Sequence, residues 1–232
     1  MTLNVKLRKW TWLVLVILLL STAGVSFAAP NLVNSLSAGR GYDPLNNAEQ
    51  QRALTAALNS RGAGASTVRS EILLVERHQE TKDVYRQGVW PRRADVYVYD
   101  YNTDSLDYFV VNNDNNQIEE HQTLKNVQLP PTENEIQIAV NRVFADAQLL
   151  TELKVWFTKL TGQELTTFDQ IAAKAFIFHA DSMGTADVGE AKSCGHHRCV
   201  QLLIYTKDMI AFDKSPVVNL STDKLATVLH PR

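Results

Sequence analysis

Residues 94–112 read ADVYVYDYNTDSLDYFVVN. Two alternating runs, 94–102 and 106–112, flank the polar turn YNTDS (101–105), and a period of two sends successive side chains to opposite faces of an extended chain. The stretch therefore predicts an antiparallel hairpin. Working outward, EILLVERH (71–78) reads as a strand before it, and QIEEHQ (117–122), after the turn NNDNN (112–116), as a short strand behind it. Further upstream, DPLNNAEQQRALTAALNSRG (43–62) predicts a helix. Asn46 is its cap, Glu49 completes a capping box, and Gly62 suits the exit. Ala53, Leu54, Ala57 and Leu58 form one apolar face for a sheet to receive. One helix followed by a four-stranded antiparallel meander results.

The same order then recurs. LPPTENEIQIAVNRVFAD (129–146) opens with a second capping box, Thr132 and Glu135, and repeats apolar residues at Ile136, Ala139, Val140, Val143 and Phe144. A second amphipathic run with Leu149, Leu153, Trp156 and Leu160 follows, then the strand-rich segments AAKAFIFHA (172–180), CVQLLIYT (199–206), MIAFDKSPVVNLS (209–221) and KLATVLH (224–230). A shift of 107 positions lays Val110, Val111, Asn112 and Ile118 on Val217, Val218, Asn219 and Leu225. Matching residues and matching element order on one offset predict a duplicated unit with its boundary near Pro131.

The N-terminus sets the compartment. Lys6, Arg8 and Lys9 precede an apolar run from Trp10 to about Leu20, and small residues at Ser26 and Ala28 follow, which is the anatomy of a secretory signal peptide cleaved after Ala28. Removing residues 1–28 takes away three basic residues and no acidic ones, leaving 20 basic against 25 acidic, a net charge of −5. That balance disfavours nucleic acid as a partner, and no later segment is apolar enough to hold a stable position in a membrane. The expected location is periplasmic or extracellular. With two cysteines in the chain, the core must come mainly from apolar burial.

DPLNNAEQQRALTAAL, the segment from Arg92 and Arg93 through the Tyr-rich strand to VQLPPTENE, and the distal RCVQLLIYT and SPVVNLSTDKL together resemble the two small N-terminal domains of the copper amine oxidases. The resemblance spans about Asp43 to Val228. It implies an α+β protein of two tandem cystatin-like domains, each a helix packed on a roughly four-stranded antiparallel sheet. Their expected spans are 42–131 and 132–232, after a signal peptide at 1–28 and a flexible segment at 29–41. In that family the copper and the topaquinone made from a tyrosine within Asn-Tyr-Asp/Glu belong to a separate catalytic domain. No Asn-Tyr pair and no His-x-His occurs here, so no active-site residue carries over. The resemblance implies architecture, no cofactor and no amine oxidation by this chain alone.

Candidate sites remain. In SCGHHRCV (193–200), Cys194 and Cys199 read as a disulfide closing a short loop, with His196 and His197 at its tip; free thiols, or a metal held by Cys194, His196 and Cys199, are the alternatives. Adjacent histidines on extended chain point apart, and the C-x4-C spacing departs from the C-x2-C that wraps a metal. Tyr97, Tyr99 and Tyr101 fall on one strand face and can line a groove for a partner, while period-two aromatics also suit a half-buried sheet. Trp90, Arg92 and Arg93 in GVWPRR offer an aromatic and two cations to an acidic partner. Hydrolase and phosphate-loop signatures are absent from the sequence, and His179 reads as a core residue. The expectation is a non-catalytic exported module that binds a protein or peptide. The alternatives are an accessory subunit of a separately encoded amine oxidase, or metal carriage.

Overall fold

A computed structural model describes residues 43–62, 69–88, 90–183 and 189–230. The expected signal peptide and the segment to residue 41 lie outside the described residues. The first half contains helix α1 (Asn47–Ser60), strand β1 (Ser70–Arg77), the short helix α2 (Lys82–Arg86), and strands β2 (Arg93–Asp100), β3 (Ser105–Asn112) and β4 (Gln117–Lys125). The second half contains helices α3 (Glu133–Ala145) and α4 (Ala147–Thr161) and strands β5 (Ile171–Ile177), β6 (Cys199–Thr206), β7 (Ser215–Asn219) and β8 (Lys224–Leu229). Each half makes one sheet, ordered β1-β2-β3-β4 and β5-β6-β7-β8, and all pairings are antiparallel. The predicted α+β class with two four-stranded sheets is the observed one.

Local chemistry explains the helices. The Asn46 side chain accepts from the Glu49 amide at 3.0 Å while the Glu49 carboxylate accepts from the Asn46 amide at 2.8 Å. Thr132 and Glu135 repeat the exchange at 3.1 and 2.9 Å. Asp146 ends α3 and caps α4 at once, its carboxylate accepting from the Leu149 amide at 2.8 Å. Gly62 leaves α1 at φ +83°, the left-handed conformation that glycine tolerates.

The apolar stripe of α1 is narrower than its sequence suggests. Ala53 and Ala57 are fully buried against Ala94, Val96, Val98, Phe109 and Val111, whereas Leu58 is exposed. Two alanines make a small contact surface, and Leu58, one position on from Ala57 and so about 100° round the helix, falls outside the buried stripe. On α4 the buried line is Leu149, Leu153 and Phe157. Leu160 is exposed, and Trp156 packs at the margin, edge-on to Phe212 at 5.2 Å.

The two halves match in geometry as well as order. The ladder between β3 and β4 slips between Val110 and Val111, and that between β7 and β8 slips between Val217 and Val218, the same offset of 107. The turns also agree: Asn116 sits at φ +59° and its counterpart Asp223 at +57°. A bulge adds twist and leaves one residue unpaired, so its recurrence at equivalent positions is a specific likeness. Beside the first half's own cluster under α1, a larger cluster is common to both halves. Tyr99, Tyr101 and Leu106 of the first sheet cluster with Ala139, Val143, Leu153, Leu202 and Val218 of the second half, and the described residues form one compact unit.

Candidate functional site

The cysteine–histidine loop is a staple. Cys194 and Cys199 are joined by a disulfide, with Cα atoms 5.4 Å apart, and both are buried. Gly195 holds the turn at φ +108°, where a Cβ would meet His179 Nδ1 at 3.0 Å. The two histidines, on a turn whose amides bond back to the Ser193 carbonyl, reach different partners. His196 Nδ1 lies 2.9 Å from Asn126 Oδ1. His197 Nδ1 lies 3.1 Å from Asn219 Nδ2, and its Nε2 lies 3.7 Å from Asp104 Oδ2. With Asn219 donating to Nδ1, the proton of a neutral His197 sits on Nε2, facing Asp104. Asn126 and Asp104 both belong to the first half, so the loop tip, where His196 is exposed and His197 half-exposed, also touches that half. The metal reading of Cys194, His196 and Cys199 is corrected for the same reasons: both sulfurs are spent in the disulfide and His196 is turned to Asn126. Among the described residues, no group of three or more His, Cys, Asp and Glu side chains is placed to hold a metal.

Arg92 does not face a partner. It is 4% exposed and grips Glu49 with two hydrogen bonds of 2.7 Å, while donating to the carbonyls of Asp43 at 2.6 Å and Pro44 at 2.7 Å. The bidentate pair holds the Glu49 carboxyl below the usual carboxylate range and raises Arg92. The second half repeats this clamp. Arg198, with 0% exposure, grips Glu135 through Nε and, at 2.7 Å, through Nη2; it also donates to the carbonyls of Leu129 at 3.0 Å and Pro130 at 3.2 Å. The Tyr101 hydroxyl adds a 2.7 Å hydrogen bond to Glu135. In each half an arginine just before the second strand ties the capping-box glutamate and the chain entering the helix into one unit. The sequence carried the signal: Pro44…Glu49 and Pro130…Glu135 share their spacing, and Arg92 and Arg198 each precede a strand.

Tyr97, Tyr99 and Tyr101 share a face as predicted, but most of that face is interior. Tyr99 is 1% and Tyr101 5% exposed, packed at the junction of the halves, so neither lines a groove. The Tyr99 hydroxyl donates to Asp104 at 3.1 Å. Arg93 is already engaged by Glu80 at 2.8 Å and by Glu119, and the Trp90 ring lies on Tyr85 at 4.8 Å. The strand face runs from the shared core out to solvent, and only its outer end is available.

That outer end forms the candidate site. Tyr97 and Tyr108, opposite one another on β2 and β3, stack with centroids 5.0 Å apart and planes 28° apart. Leu74 and Gln122 continue their row on β1 and β4, and both are exposed. The next row outward is Glu76, Asp95, Val110 and Glu120, with Asp95 and Val110 buried and the two glutamates exposed. Asp95 accepts from the Tyr108 hydroxyl at 2.9 Å and pairs with His78 Nδ1 at 2.7 Å. Burial, then the charges of Asp95 and Glu76, raise the Tyr97 phenol; burial, then the hydrogen bond to Asp95, raise Tyr108. Both phenols are therefore neutral near pH 7, beside the Asp95 carboxylate. The Tyr97–Tyr108 pairing and the row of Glu76, Asp95 and Glu120 are not legible in the sequence, because only strand register brings them together.

Fold and site together define an α+β protein of two matched helix-and-sheet units with an acidic, aromatic face on the first sheet. No known family profile matches the sequence, and no curated protein matches it. Among solved structures the fold matches a copper-containing benzylamine oxidase from Hansenula polymorpha, with a TM-score of 0.54 and 15% identity, over 83% of this chain and 30% of that one. The likeness is one of fold.

Proposed function

We propose that this chain is an exported, non-catalytic module that binds a protein or peptide partner through the outer end of the first sheet. The observation that carries the reading is the Tyr97–Tyr108 stack, half-buried between exposed Leu74 and Gln122: aromatic surface at the margin of a folded sheet favours association. Export rests on the N-terminal sequence and fits the Cys194–Cys199 disulfide, which persists in oxidising compartments. The reading assigns no reaction to the chain. A second reading, accessory subunit of a separately encoded oxidase, is favoured by the fold likeness to a copper-containing oxidase of which the chain spans 30%. Crosslinking the tagged protein in its native compartment, followed by mass spectrometry, tests both. A specific partner retained by the wild type and released by Tyr97→Ala is expected, and a partner carrying an oxidase domain selects the second reading. Partners held equally by wild type and Tyr97→Ala would refute this face as the site. Sustained peroxide release from primary amines by the purified chain with copper would refute the non-catalytic assignment.

A further inference from the structure

The charges around the stacked tyrosines specify a partner chemistry. Glu76 stands directly opposite Asp95 in the ladder between β1 and β2, an arrangement of like charges that destabilises a sheet. Glu120 lies in the same row across Val110. His78 and the Tyr108 hydroxyl both serve Asp95, and the guanidinium of Arg93 is shared by Glu80 and Glu119. Among the described residues, Glu76, Asp95, Glu120, Glu80 and Glu119 thus lie on or beside the face, with Arg93, His78 and, at its β1 edge, Arg77 as the neighbouring basic groups.

The second half serves as an internal control. At the offset of 106 that relates β2 to β6, Asp95 and Tyr97 become Gln201 and Leu203; at 107, Tyr108, Val110 and Glu120 become Ser215, Val217 and Thr227. There Val217 is covered by a cluster of Phe178, Ala191, Cys194 and Cys199. The same scaffold folds without acids or tyrosines at these positions, so the architecture does not require them. A neutral aromatic pair ringed by carboxylates is suited to a desolvated cation: the ring faces attract it through their quadrupole and the carboxylates through charge.

We propose that this face recognises a basic peptide segment of a partner protein, with a lysine or arginine head group seated at the Tyr97–Tyr108 pair between Glu76 and Glu120. The inference rests on the module reading and names its partner's chemistry. The probe is a fluorescein-labelled hexalysine peptide, read by anisotropy with the full exported chain at about 20 mM and about 300 mM salt, where screening differs strongly. Expected is binding that weakens with salt. It should weaken about three- to fivefold in Tyr97→Ala, stay within about twofold in Tyr97→Phe, which keeps the ring, and weaken about fivefold in Glu76→Gln/Glu120→Gln. The double variant Glu133→Gln/Asp169→Asn removes the same charge elsewhere and should bind as wild type. Equal weakening by both charge pairs, or no loss in any variant, would overturn the proposal. Should Tyr97→Ala fail to fold by circular dichroism, the two charge pairs still decide, since all four residues are exposed or half-exposed. A native partner captured equally by wild type and Glu76→Gln/Glu120→Gln sinks this inference while leaving the module reading intact. Hexalysine bound at this face with no native partner captured supports the chemistry and counts against the module reading.

Discussion

At the residue scale, the two arginine–glutamate clamps dominate the electrostatics of the interior. Taking a guanidinium and a carboxylate from water is costly, and bidentate pairing plus backbone carbonyls offsets that cost. Breaking one partner leaves a buried charge alone, so Arg198→Met should destabilise the protein by about 3–5 kcal/mol in denaturant titration, and adding Glu135→Leu should recover part of the loss. Glu49 adds a pH dependence. Its folded-state pKa is lowered by Arg92, so the unfolded chain binds more protons between the two values. The stabilisation is complete above the ordinary carboxylate value of about 4.3 and is lost as pH falls through the lowered value. Thermal melts from neutral pH downward should show the advantage of wild type over Glu49→Gln shrinking only below about pH 4.

At the element scale, close approach and covalent stapling place the strands. Ala57 is fully buried between α1 and the first sheet, so Ala57→Leu should overpack the contact and cost about 1–3 kcal/mol, measured by urea unfolding. The disulfide spans five positions, and closing so short a loop limits the entropic gain to about 2 kcal/mol. Cys194→Ser/Cys199→Ser should lose about that much. Mass spectrometry of the non-reduced peptide from Ser193 to Gln201 should show the intact bridge. The loop's larger effect is positional: it sets His196 on Asn126, His197 beside Asp104 and Arg198 on Glu135. Matched bulges in β3–β4 and β7–β8 show that element-level detail follows the repeat down to single residues.

At the scale of the whole molecule, a core common to both halves couples their stabilities. Tyr101 reaches Glu135, Thr132 donates to Glu71 at 2.7 Å, and Arg69 donates to the Leu220 carbonyl. Separating the halves would expose Tyr99, Tyr101 and Leu106, which are nearly or wholly buried. Calorimetry should therefore record one cooperative transition with matching calorimetric and van't Hoff enthalpies, and two resolved transitions would show independent cores. Charge is distributed unevenly over this one body. The acidic, aromatic face lies on the first sheet, while the second sheet's equivalent face is taken up by the disulfide loop and its apolar neighbours.

The sequence by itself determined whatever is encoded within a few residues or one repeat length. The hairpin at 94–112, both capping boxes and the offset of 107 depend on spacing, and spacing is written in the chain. Only the tertiary structure decided which faces meet. Period two placed Tyr97, Tyr99 and Tyr101 together, but it could not say that the second half would bury two of them and leave the third at the margin. Nor could it say that Arg92 would turn inward to Glu49 while Leu58 and Leu160 turned out. Periodicity fixes the directions of side chains around one element, whereas burial depends on what packs against each direction, and that is settled by the chain folding against itself.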